Sequence, residues 1–196
     1  MRALLARAAR GWRGPRASDP VPALLRGGGV SQAGRRAAGF VLAAAVLAAD
    51  QWSKTWVLHG SGLGGGRIMT AVPGLLNFVL VWNHGITFGM FSHGGAKPIL
   101  AIIAAVVVGF LGVWLWRSRN WMATLAIGAI AGGAVGNILD RLRFGAVVDF
   151  LQMHAGTLYF PWIFNVGDSA ICCGVAALML ESVLIKRPVA ADSRQR

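Results

Sequence analysis

Acidic residues are scarce in this chain: seven Asp and Glu in 196 residues, against 19 Lys and Arg. Charged residues make up 13% of the sequence, about half the ~25% usual in a soluble domain. Cysteine occurs twice, as the adjacent pair Cys172 and Cys173 in an apolar run. No disulfide framework can be built from such a pair, and redox compartment cannot be read from it. No GxSxG string marks a serine hydrolase elbow. The four histidines show no HExxH spacing, so a zinc site is not expected. The glycine-rich tract at 62–66 carries no phosphate-loop lysine, which argues against a nucleotide site. The net charge of +12 lies mostly in the tails rather than on a base-reading surface, so no nucleic-acid partner is expected.

Apolar residues are plentiful, at 56%, with a mean hydropathy of +0.59. A transmembrane helix needs about 20 mostly apolar residues. Four segments are read as such: Ala37 to Leu58, Pro98 to Trp116, Trp121 to Leu139, and Val166 to Ile185. The first has a short apolar core and a polar end (DQWSK), which is assigned to an interface. Tryptophans gather near the ends of these segments, as in aromatic belts. Four apolar runs in so short a chain disfavour the alternative of buried helices in a soluble protein. The expected fold is therefore an all-α polytopic membrane protein with four transmembrane helices.

The bases set orientation. Eight arginines precede the first segment, Arg117 and Arg119 lie between the second and third, and four bases follow the fourth. With four spans these share one side, so both termini are expected in the cytoplasm. Arg141 and Arg143 fall on the opposite side and contradict the rule. Residues 1–36 lack the apolar core and cleavage site of a secretory signal. They read as a disordered basic cytoplasmic arm attracted to anionic lipid; an organelle transit peptide has a similar bias. Residues 37–187 form the membrane domain and 188–196 a cytoplasmic tail. The outer loop 59–97 contains short β-rich stretches (Arg67 to Val72, Leu76 to Trp82, Ile86 to Phe91), read as a small outer β-cradle on the membrane. The outer loop 141–165 is amphipathic. Gly128, Gly132 and Gly136 recur every four residues in the third segment, with Gly133 beside them, and permit close helix approach.

Four of the seven acids, Asp50, Asp140, Asp149 and Asp168, map to the outer ends of the spans or the adjoining loop. A carboxylate at mid-bilayer costs roughly 2.5–3.5 kcal/mol on insertion scales and less near the interface, so this gathering requires a reason. Structural reasons exist for three. Asp50 and Lys54 stand four apart, the spacing of a helical ion pair. Asn165 and Asp168 have the spacing of a capping box. Asp140 has Arg141 and Arg143 nearby. Asp149 lies between Val148 and Phe150 with no local partner in sequence. Two carboxylates in a partly dry site cannot both ionise easily. One then activates a water and the other protonates the scissile group, which is aspartyl protease chemistry without metal or covalent intermediate. Spacing alone does not show that Asp149 and Asp168 meet. A proton relay built on the same acids would spread them through the membrane depth, and a structural adaptor would not need Asp149.

The strings DQWSK (50–54), NHGITFG (83–89), GNILDRLRFGAVVDF (136–150) and FNVGD (164–168) occur in this order. Together they resemble the lipoprotein signal peptidase family, signal peptidase II, over about residues 38–186. The resemblance implies an inner-membrane aspartyl endopeptidase that removes the signal peptide from diacylglyceryl-modified prolipoproteins, cutting just before the lipidated cysteine. It implies Asp149 and Asp168 as the catalytic pair. It makes Asp50, Lys54, Asn83, Asn137, Asp140, Arg141 and Asn165 pocket-ordering or substrate-binding residues, and so accounts for Arg141. No cofactor is implied. The implied partners are lipidated prolipoproteins and membrane lipid, and the chain is expected to act as a monomer. Thr87 and Gly167 replace alanines that are common in the family; Gly167 is expected to loosen the start of the fourth span.

Overall fold

The computed structural model describes residues 31–64, 66–84 and 96–184. Most of the N-terminal arm, the C-terminal tail and the predicted strand at 86–91 lie outside them. Among the described residues, four helices and four strands follow in order: α1 (Gln32–His59), β1 (Ile68–Val72), β2 (Leu76–Asn83), α2 (Ala96–Arg117), α3 (Trp121–Phe144), β3 (Val147–Ala155), β4 (Leu158–Phe164) and α4 (Val166–Leu184).

Small residues decide how the helices meet. A methyl group at Gly128 would overlap the Gly39 carbonyl, one at Gly132 the Ala43 carbonyl, and one at Gly136 the Asp50 carboxylate. The glycine stripe of α3 is therefore the face that admits α1. Gly133, on the neighbouring face, lies against the Gly167 carbonyl at the start of α4, and Gly174 of α4 lies against the Ala126 carbonyl. The stripe read from sequence is thus a packing device, and α3 is the central helix.

The distribution of polarity is the reverse of a soluble core. Asp50, Lys54, Asp140, Asp149 and Asn165 are each at most 2% exposed, whereas Ile102, Val106, Phe110, Met179 and Val183 are each more than 60% exposed. Such apolar flanks on helices whose ionisable groups turn inward are those of a protein solvated by lipid. Among the described residues, α3 and α4 are long and apolar enough to cross a membrane.

Two boundaries differ from the sequence expectation. Helix α1 starts at Gln32, so Arg35 and Arg36 belong to it rather than to the arm; Arg36 Nε donates to the Trp116 carbonyl at 2.7 Å and its guanidinium lies over that indole. The DQWSK segment lies within the helix, and its Asp50 and Lys54 are buried because α3 supplies partners for both. Helix α3 continues five residues past Leu139 to Phe144, so Arg141 and Arg143 stand on its last turns and not in a loop.

The sheet also differs. The sequence placed a β-cradle in the first outer loop alone, but the second loop contributes half of it. The four strands form one antiparallel sheet in the order β1-β2-β3-β4. Helix α3 ends at Gly145, which adopts φ 73° and donates its N–H to the Arg141 carbonyl. That left-handed cap suits glycine and redirects the chain into β3. Strand β2 pairs with β3 in the register Val81↔Asp149 and Asn83↔Val147. Pro161, which cannot donate to a ladder, sits in the edge strand β4. Val57, Leu63 and Phe150 form a core between α1 and the sheet, and Trp56, Phe78 and Phe150 meet edge to face. This core fixes the start of β3 against the helices.

Candidate active site

Lys54 organises the buried network. Its ammonium has three hydrogens, and three acceptors lie within reach: Asp50 Oδ2 at 2.7 Å, Asp140 Oδ2 at 2.8 Å and Asn137 Oδ1 at 3.0 Å. The predicted Asp50–Lys54 pair is therefore one side of a triad. Asp140 pairs with Lys54 and with neither nearby arginine, because its helical position turns it toward α1. Its Oδ2 also accepts the Val148 N–H at 3.1 Å. Asp50 Oδ1 accepts the Gly167 N–H at 2.8 Å. The start of α4 is therefore held, not loosened: a methyl at Gly167 would stand 3.0 Å from both Asp50 Oδ1 and the Gly133 carbonyl.

Two asparagines carry the network onward. Asn137 Nδ2 donates to Asp168 Oδ1 at 2.7 Å. Asn165 Nδ2 donates to Asp149 Oδ1 at 2.8 Å and lies 3.1 Å from Asn137 Oδ1. Asn165 Oδ1 accepts the Asp168 N–H at 2.8 Å, and the Asn165 N–H lies 3.4 Å from Asp168 Oδ2. This is the expected capping box, with Asp168 also bound to a second helix. On the other side, Asn83 Nδ2 donates to Asp149 Oδ2 at 2.8 Å. Arg141 Nη1 reaches the Asn137 carbonyl at 3.2 Å.

The structure thus gathers all nine sequence-identified residues into one connected cluster drawn from α1, β2, α3, β3 and α4. Asp149 comes from a strand and Asp168 from a helix start, yet a single asparagine touches both. Burial is the chief cause that pushes the Asp149 carboxyl above its ordinary range. The Asn83 hydrogen bond opposes it, the Asp168 charge adds to the rise, and Asn165 and Lys54 pull it down. Asp149 is buried while Asp168 is half-buried, so the pair is open on the Asp168 side. Among the described residues no three His, Cys, Asp or Glu side chains are disposed to hold a metal ion. Asp50 and Asp140 are instead turned to Lys54.

Sequence reasoning missed Gln51. Its Nε2 lies 3.0 Å from Asp140 Oδ1 and 3.2 Å from both Asp50 Oδ2 and the Gly136 carbonyl. Its signal in the sequence is only its place beside Asp50 in DQWSK. An apolar cavity of about 360 Å³ borders the cluster, lined by Ile103, Val107, Ile138 and Ile171, with Asn137 and Arg141 as its polar members.

The chain is similar to known proteins. The family model for signal peptidase II matches residues 42–184. A lipoprotein signal peptidase of Nitrobacter hamburgensis is 44% identical over 152 residues, covering 74% of this chain and 92% of that protein. One from Caulobacter vibrioides is 39% identical over 150 residues, covering 74% and 86%. Two solved structures share the fold, each described as a bacterial membrane enzyme determined by the in meso method. One, at 2.3 Å resolution, is 23% identical with a TM-score of 0.63 over 82% of this chain and 94% of that one. The other, at 1.9 Å, is 26% identical with a TM-score of 0.62 over 77% and 94%. With the family match spanning every element that builds the carboxylate cluster, the chain belongs to the signal peptidase II family.

Proposed function

We propose that this chain is a membrane aspartic endopeptidase that removes the signal peptide from diacylglyceryl-modified prolipoproteins, cutting just before the lipidated cysteine. The observation that carries this reading is the meeting of Asp149 and Asp168 through Asn165 and Asn137, with Asp149 pushed toward its protonated form.

The chemistry follows from one proton shared by two carboxyls. The ionised carboxylate takes a proton from water as the water oxygen attacks the scissile carbonyl carbon. The protonated carboxyl hydrogen-bonds the carbonyl oxygen and stabilises the tetrahedral centre. A proton then passes to the amide nitrogen, the C–N bond breaks, and the signal peptide leaves as a carboxylic acid. The other product carries a free amine on its lipidated cysteine. Asp50, Lys54, Asp140, Asn137, Asn165, Asn83 and Arg141 hold the two carboxyls and their backbones in place. No cofactor takes part.

In this reading all four helices span the bacterial inner membrane, with both termini cytoplasmic and the aspartate pair near the outer face. The chain works as a monomer, with lipidated precursors and membrane lipid as partners. The bordering apolar cavity suits an apolar segment of such a precursor. The test uses purified full-length protein, a lipidated precursor and mass measurement of the products. Cleavage just before the modified cysteine, abolished by Asp168→Asn, is the expected result. Undiminished cleavage by that variant refutes the aspartic mechanism.

A further inference from the structure

Arg143 is the base that orientation, family resemblance and the reaction all leave unexplained. It stands on the last turn of α3, exposed, and its Nη1 donates to Gln51 Oε1 at 3.0 Å. With Oε1 so engaged, the Nε2 end of the amide faces Asp140, Asp50 and the Gly136 carbonyl. The opposite orientation would aim Oε1 at three acceptors and Nε2 at a guanidinium, so the contacts themselves determine which way the amide points. The charge balance explains why a donor is needed there. Asp50 and Asp140 share one ammonium, Lys54, whose three hydrogens already have acceptors. Asp140 in turn holds the Val148 N–H, one residue before Asp149.

We propose that Gln51 and Arg143 are a positioning pair: Arg143 orients the Gln51 amide, the amide holds Asp140, and Asp140 fixes the Val148 backbone that aims Asp149. The inference rests on the proposed role of Asp149. Neither residue touches the reacting atoms, so their effect falls on turnover and not on substrate affinity.

Gln51→Glu tests it, because it keeps volume and the acceptor for Arg143 but replaces the donor with a carboxylate. That carboxylate faces Asp50 and Lys54 on α1 and Asp140 and Arg143 on α3, with Asp149 on β3 and Asp168 on α4 further along the network. At neutral pH kcat falls by about tenfold, the factor that 1.4 kcal/mol represents, with KM unchanged. The kcat ratio of variant to wild type climbs as pH falls, because the introduced side chain regains one donor once it is protonated. Gln51→Leu shows the loss without the recovery. A Gln51→Glu enzyme equal to wild type, or one whose ratio is flat with pH, overturns the proposal. A wild-type enzyme that cuts no lipidated precursor sinks the peptidase reading instead. Thermal melts keep the two apart. The introduced carboxylate is repelled by Asp50 and Asp140 while ionised and donates to them once protonated. The Tm deficit of Gln51→Glu relative to wild type therefore shrinks on acidification whether or not a precursor is cut. A deficit constant with pH rules out the contact.

Discussion

Asp168 is where capping and catalysis can be separated. Its Oδ1 takes the short bond from Asn137, while Oδ2 has only the longer contact to the Asn165 N–H. Asparagine at 168 keeps the short bond, so Asp168→Asn should cost less than about 1 kcal/mol of stability yet lower cleavage by at least about 100-fold. Asp149→Asn should abolish cleavage too, but at some cost in stability. Both Asp149 oxygens accept from amide groups, and a new NH₂ meets one of those donors head-on, a mismatch of about 1–3 kcal/mol. Melting curves and turnover measured on the same preparations separate the two effects. The raised Asp149 carboxyl also sets a pH dependence. In the proposed mechanism the pair holds one proton, so activity should be lost at high pH when that proton leaves. Asn83 pulls the carboxyl down by donating to it. Asn83→Ala removes that pull, so the alkaline limb of kcat/KM should move to higher pH; a shift to lower pH contradicts the assigned cause. At this scale the sequence was informative wherever a residue was out of place. Asp149 in an apolar stretch and four acids at one face could be seen without coordinates. Gln51 could not, because a glutamine beside an aspartate on a helix looks solvated until its neighbours across the bundle are known.

Among the elements, α3 carries the assembly. It meets α1 along Gly128, Gly132 and Gly136 and meets α4 at Gly133. Gly136→Ala would place a methyl onto the Asp50 carboxylate and should destabilise by about 1–3 kcal/mol, with activity falling further because Asp50 holds the start of α4. Gly109 on α2 has open space around it, so Gly109→Ala should be neutral for both. Equal tolerance at the two positions, measured by thermal melting in detergent, would show that the stripe is not a contact face. Helices α1, α2, α3 and α4 were each legible as apolar runs, but their ends were not. Hydropathy stops at Leu139 because Asp140, Arg141 and Arg143 are polar, whereas the helix continues because Lys54, Asn137 and Gln51 satisfy or engage them. Strands β3 and β4 were missed as strands because neither alternates. Val147, Val148, Asp149 and Phe150 are all buried and Leu158 to Trp162 are all exposed, so the pattern that marks a half-exposed strand is absent from both.

For the molecule as a whole, the basic residues and the exposed apolar side chains of the sheet lie in different segments of the sequence. The Arg-rich segment at 1–30 lies outside every motif, and in the proposed topology Arg35 and Arg36 remain to set orientation without it. Deleting it should leave cleavage nearly intact; a truncated protein that inserts but cannot cut would assign the arm a role. The sheet is apolar where a soluble protein would be polar. Trp82, Tyr159 and Trp162 are exposed on the sheet, at 42%, 54% and 67%. Leu75, Met153, Leu158, Tyr159 and Phe160 line a recess of about 540 Å³ beside the β3–β4 hairpin. These surfaces either anchor the sheet at the interface or receive the acyl chains of the substrate. Each buried CH₂ of an acyl chain contributes about 0.8 kcal/mol, so a received lipid would dominate substrate affinity, whereas a mere anchor would leave it unchanged. One precursor compared with and without its diacylglyceryl cysteine decides between them. With lipid binding, the unmodified precursor should show a kcat/KM lower by at least about 100-fold, mostly through KM. Leu158→Ser with Tyr159→Ser should narrow that gap by weakening only the lipidated substrate. A lipid-free precursor cut as fast at low concentration would return these side chains to the role of interfacial anchors and leave the aspartate chemistry standing.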